Sequence, residues 1–171
     1  AQALPAGLRW GEALALDRLA PRERSLAPRD PLAEKMARSS FRAPRPGDTV
    51  ADDAGTPRPW RPVTLGADGV LADAGVADGG YLHVHLHSPR AQVVLLSAAG
   101  SAWSWHDGHR RPGDIYAFGT LRLPLALKAG NNTLLLRGGR GDLRLTLEPA
   151  PASPFVEAHD ATLPEELHDA I

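Results

Sequence analysis

YLHVHLHSPRAQVVLLSAAG, residues 81–100, decides the fold. Its first seven residues alternate without a break. Leu82, Val84 and Leu86 fall on one side of an extended chain, and Tyr81, His83, His85 and His87 on the other. Side chains of a strand point to opposite faces in turn, so this segment reads as a strand with one core face. The following run AQVVLLSA (91–98) is apolar throughout and reads as a strand buried on both faces.

The strand pattern continues downstream. SAWSW (101–105) runs into HDGH, where Asp107-Gly108 has the composition of a two-residue type I′ hairpin turn. Gly113-Asp114 reads as a second turn, because Asp bonds nearby backbone amides. LRLPLAL (121–127) puts four Leu on one face, and its Pro124 assigns it to a sheet edge or a bulge. In LALKAGNNTLLL, Gly130 supplies a positive φ, and Asn131 or Asn132 can bond the turn backbone. NTLLLR (132–137) and LRLTL (143–147) flank GGRGD, which predicts a hairpin between them. Arg140-Gly141-Asp142 within it fits that loop better than an adhesion motif. Turn signals recur every 8–12 residues across 60–149, the spacing of a sandwich or jelly roll and not of βαβ units.

Upstream the pattern changes. RWGEALALDRLA (9–20) places Trp10, Leu14 and Leu16 or Leu19 near one helical face, and Pro21 would stop the helix. RDPLAEKMARS (29–39) carries a start signal: Asp30 as N-cap, Pro31 at the first helical position and Glu34 early in the helix. Recurrent Pro makes 43–62 extended coil. The expected organisation is an irregular, partly helical segment over 1–59 packed on a β-sandwich over 60–149. A linker, or the start of a following domain, occupies 150–171. The expected fold class is mainly β, an antiparallel jelly-roll-like sandwich with one or two short N-terminal helices.

Composition narrows the functional classes. A chain of 171 residues with 43% hydrophobic residues can bury a core unaided. Its 17 Gly and 16 Pro favour short strands and turns over long helices. A net charge of −1 gives no footprint for nucleic acid. Cys is absent, which excludes disulfides, thiolate chemistry and Cys-based zinc sites. No apolar run is long enough to span a membrane. The opening AQALPAG resembles the surroundings of a small-residue cleavage site, which implies a secreted or periplasmic protein.

Three groups of residues invite a chemical reading. His83, His85 and His87 share one strand face, as zinc or iron ligands do in cupin-type barrels, but the following SPRAQVV lacks the carboxylate such a site needs. Trp103 and Trp105 also share a face. With His106, Asp107 and His109 around the turn, Trp105 is the candidate lip for a stacked sugar, unless the indoles plug the core. Asp107 and Asp114 are the one candidate carboxylate pair for glycoside hydrolysis, yet each also has a sufficient role as a turn residue. No nucleophile elbow, phosphate loop or dinucleotide fingerprint occurs, so no catalytic residue and no cofactor is assigned.

The run HDGHRRPGDIYAFGTLRLPLALKAGNNTLLLRGGRGDLRLTLEP resembles the galactose-binding-like β-sandwich domains attached to secreted bacterial hydrolases. The matching pieces are Gly113-Asp114, Tyr116, Leu123-Pro124, Leu127-Lys128, Gly130-Asn131 and Arg140-Gly141, within a likeness covering roughly 43–168. Asp107 stands where that pattern has Asn, and both residues suit a type I′ turn. The resemblance implies a non-catalytic accessory module beside an α/β-hydrolase-like or peptidase-like domain of the same polypeptide. The alternatives are a carbohydrate-binding module and a cupin-like metal-dependent enzyme.

Overall fold

The computed structural model describes residues 4–5, 7–19, 30–38, 40–66, 68–139 and 141–151. In chain order these form β1 (Arg9–Leu16), α1 (Pro31–Ala37), β2 (Thr49–Ala51), β3 (Pro57–Pro59), β4 (Arg61–Val63), β5 (Val70–Leu71), α2 (Ala74–Ala77), β6 (Tyr81–Ser88), β7 (Gln92–Ala99), β8 (Ser101–His106), β9 (His109–Pro112), β10 (Leu123–Leu127), β11 (Gly130–Gly138) and β12 (Leu143–Pro149). The linker expected from 150 onward lies outside the described residues beyond position 151, as does Arg140 of the Arg-Gly-Asp triplet.

Two antiparallel sheets face each other, one ordered β4-β1-β6-β11-β8-β9 and the other β10-β7-β12-β5. The core between them takes Leu82, Val84 and Leu86 of β6 with Leu134 and Leu136 of β11. From the opposite sheet come Val94, Leu96, Leu125, Leu145 and Leu147. Deep burial of each such side chain contributes about 1.5–3 kcal/mol relative to leaving it in water. The face of β6 that carries Tyr81 and His83 is buried as well. It lies under an N-terminal layer whose Leu32, Met36, Val50 and Trp60 join Leu14, Leu16, Tyr81, Trp103 and Leu135 in a second core. The six-stranded sheet is therefore the middle of three layers.

That arrangement explains four departures from expectation. Residues 9–16 form a strand, not a helix, pairing with β4 and β6. Ala13 and Ala15 face one core while Leu14 and Leu16 face the other, so the strand needs no polar face, and an Ala/Leu-rich segment of helical propensity is overridden by its two partners. The run at 91–98 is not buried on both sides. Val94, Leu96 and Ala98 are buried, but Val93 is half exposed, because the four-stranded sheet leaves its outer face open. The segments flanking GGRGD do not form a hairpin: β11 pairs with β6 and β8, and β12 with β7 and β5, so the loop carries the chain from one sheet to the other. Within 43–62, expected as coil, β2 and β3 form a two-stranded ladder and β4 an edge strand, with prolines at positions an edge tolerates.

Local turn chemistry follows the sequence closely. Asp30 caps α1, accepting from the amides of Leu32 and Ala33, with Pro31 at the first turn. Asp107 and Gly108 have φ of 47° and 78°, both in the left-handed region that a type I′ turn requires. Pro124 sits in β10 at the edge of its sheet. The Asn132 amide closes the turn before β11, its oxygen accepting from Lys128 N at 3.0 Å and its nitrogen donating to Lys128 O at 2.9 Å. The second helix, α2, falls between β5 and β6, outside the N-terminal segment.

Candidate functional site

Register brings three side chains into one row across the outer face of the six-stranded sheet. His83 of β6 lies opposite Leu135 of β11, and Leu135 lies opposite Trp105 of β8. This row floors a cavity of about 340 Å³. Met36, Phe41 and Ala43 of the N-terminal layer wall it, and the Asp107-Gly108 turn with Thr133 forms its rim. Three of the four residues that the sequence offers as a ligand lip, Trp105, His106 and Asp107, thus line one cavity, joined by His83 of the histidine strand face. Met36 comes from the helix read over 29–39, while Phe41 and Ala43 come from the stretch after it, and only the folded chain brings them over the sheet. The nearest sequence signal was Phe41, a rare aromatic in a polar stretch.

His83 is 2% exposed, and its Nδ1 is buried with no hydrogen-bond partner in the protein. Its neighbours are rings: Phe41 at 6.3 Å, Trp60 at 6.4 Å and His85 at 5.2 Å between centroids. Burial, reinforced by the charge of His85, pushes its pKa down from 6.5 to about 4. The unfolded chain therefore takes up this proton first. Stability is full above about pH 6.5 and is lost as pH falls toward 4, by an amount on the order of 3 kcal/mol. His83→Phe should flatten this part of the acid slope in urea unfolding at pH 7 and 4.5; equal slopes in both proteins would refute the assignment.

His106 points to the other side of β8, between the sheets, and is 4% exposed. Its Nδ1 lies 3.1 Å from Thr133 O in β11 and its Nε2 3.0 Å from Ala126 O in β10, with Asp107 Oδ2 3.2 Å from Nε2. Each ring nitrogen thus lies against a backbone carbonyl, one in each sheet, and the imidazole stands between the sheets behind the cavity lining to which His106 contributes. His109 faces solvent across the turn. Trp103 is buried, edge-on to Tyr81 at 5.7 Å and capped by the Arg110 guanidinium at 5.2 Å. It plugs the second core, while Trp105 is half buried in the cavity floor. His85 and His87 are half buried, and His87 Nδ1 is 3.2 Å from Asn131 Oδ1. Among the described residues no three His, Asp or Glu side chains are grouped to hold a metal ion.

Asp107 and Asp114 lie at opposite ends of the β8–β9 hairpin, so they do not form the carboxylate pair of a glycosidase. Asp114 is buried, and its carboxylate accepts from Phe118 N at 3.0 Å and Gly119 N at 2.7 Å. Its carbonyl accepts from Gly100 N at 2.8 Å and Ala117 N at 3.0 Å. The loop so tied displays Ile115, Tyr116 and Phe118 outward, the last two 71% and 74% exposed with rings 5.6 Å apart. Beside it, Ala117 and Gly119 join Arg122, Asp142, Arg144 and Glu148 around a groove of about 420 Å³ on the open face of the four-stranded sheet.

Comparison with models of known protein families, with curated proteins and with solved structures finds no match to this chain.

Proposed function

We propose that this chain is a non-catalytic accessory module of jelly-roll, galactose-binding-like type, part of an exported multidomain enzyme of hydrolase class. In this reading it packs on the neighbouring catalytic domain through the loop at 115–118. The observation that carries the reading is the pair of exposed rings, Tyr116 and Phe118, on a backbone held by Asp114. Ordered apolar anchors lose little freedom on docking, and an apolar centre with a charged rim is the usual anatomy of an interface. Arg122 and Glu148, paired at 3.3 Å, supply part of that rim. Two of the side chains that catalysis could draw on are otherwise engaged: Asp114 holds the loop and His106 bridges the sheets.

The test is the polypeptide encoded by the complete gene. Tyr116→Ser with Phe118→Ser should leave the stability of this sandwich within about 0.5 kcal/mol, as expected for exposed positions. The same pair should uncouple its thermal unfolding from that of the adjoining domain. A gene without an adjoining catalytic domain, or unfolding that stays coupled in the double variant, would overturn the proposal. The alternative, a carbohydrate-binding module with the Trp105 indole as platform, draws on that ring's place in the cavity floor. Calorimetry against a panel of mono- and oligosaccharides showing no saturable heat removes it.

A further inference from the structure

We propose that the cavity between the N-terminal layer and the six-stranded sheet binds a small flat aromatic compound carrying one hydrogen-bond donor, of the indole or phenol class. This goes beyond the docking role above and does not depend on it. Three observations carry it. The volume, about 340 Å³, falls in the range of small-ligand pockets, which are mostly apolar with a few placed polar groups. Its lining is mixed: Phe41, Met36 and Leu135 give apolar surface and Trp105 a ring face, His83, His106 and Thr133 are polar, and the charged group at the rim is the Asp107 carboxylate. At the floor is a buried imidazole with a nitrogen that no protein group satisfies, an arrangement that costs about 1–3 kcal/mol unless something else meets it.

These features also set the ligand's chemistry. A carboxylate only accepts hydrogen bonds and repels anions, which favours a donor-bearing guest over an anionic one. A sugar carries several hydroxyls and needs as many partners, and the two ring nitrogens of His106 already lie against the carbonyls of Thr133 and Ala126, which leaves His83, Asp107 and Thr133 as the side chains to meet it. A ring against Trp105 and Phe41 gains edge or offset stacking.

The experiment is a titration of the intact chain at pH 7 with indole, benzoate and methyl α-galactoside, followed by NMR of the His and Trp side chains. Indole should shift the His83 and Trp105 signals saturably, with a Kd of about 1 mM or below for so small a probe. Benzoate and the galactoside should not. His83→Phe keeps the ring volume and removes the nitrogen, and should weaken indole about tenfold while leaving toluene binding unchanged. Ala43→Trp alters an exposed residue at the cavity wall, so folding is retained, and should abolish the shifts by filling the space. The proposal is overturned if indole gives no saturable shift at His83, if the galactoside or benzoate binds there more tightly, or if Ala43→Trp leaves indole binding intact.

Discussion

Gly138→Ala should prevent this chain from folding, or destabilise it by at least about 4 kcal/mol. A methyl group on Gly138 would stand 1.8 Å from the carbonyl oxygen of Val76 and 2.7 Å from its carbonyl carbon, both backbone atoms. They belong to α2, which cannot easily give way. Asp73 caps that helix through Val76 N, and its carboxylate is gripped by Arg61 through two contacts of 2.6 Å. Retreat of the helix would also pull the buried Val76 from the core and strain the 2.8 Å bond from Gly138 N to Gly80 O. Gly130→Ala is the control. Gly130 has a φ of 93° with nothing within 4 Å of an added methyl, so only conformational strain of about 1–2 kcal/mol applies. Denaturant unfolding of both variants separates the effects; similar losses would show that close approach at Gly138 is not the cause.

Asp30→Ala should cost about 2–4 kcal/mol, a large share of the stability of a domain this size. One carboxylate serves two purposes. Its Oδ1 accepts from Leu32 N and Ala33 N, both at 3.1 Å, which caps α1. Its Oδ2 accepts from the Tyr81 hydroxyl and lies 3.4 Å from Arg137, whose guanidinium also stands over the Tyr81 ring at 5.9 Å. Removing it loses the cap and leaves a buried phenol without its acceptor. The same carboxylate keeps Tyr81 protonated, since burial first and then the charge of Asp30 raise its pKa. Asp30→Asn keeps a capping oxygen and should lose less. A loss below about 1 kcal/mol for Asp30→Ala would mean that the N-terminal layer is held by its apolar contacts alone.

The strands from 81 onward, the type I′ turn and the cap of α1 were legible because each rests on local chemistry. Alternation at 81–87, Asp107-Gly108 and Asp30-Pro31 need no distant partner to be recognised. What the sequence hid is what lies over each face. Tyr81 and His83 look like the solvent side of their strand, and Trp103 like either a platform or a core plug, until the N-terminal layer is seen to cover them. The strand at 9–16 was hidden for the same reason, since a strand with two buried faces shows no polar alternation. His106 and Trp105 are adjacent in the chain yet serve opposite faces, one joining the sheets and the other flooring the cavity. The Asp30–Tyr81–Arg137 group joins residues far apart in the chain, which no local pattern can propose.

The middle sheet also governs how fast the chain reaches its native state. Its central strand has no sequence neighbour beside it: Ala15 lies opposite Leu82, and Val84 opposite Leu134. Both pairings require the closure of long loops before any burial compensates the lost entropy, and pairing of this kind places a domain among the slow folders. Until β1 arrives, β6 exposes one flank of unpaired amides and carbonyls beside an apolar face, the combination that favours association with another chain. Productive folding of this protein is thus a race between its own N-terminal strand and a stranger for the same edge.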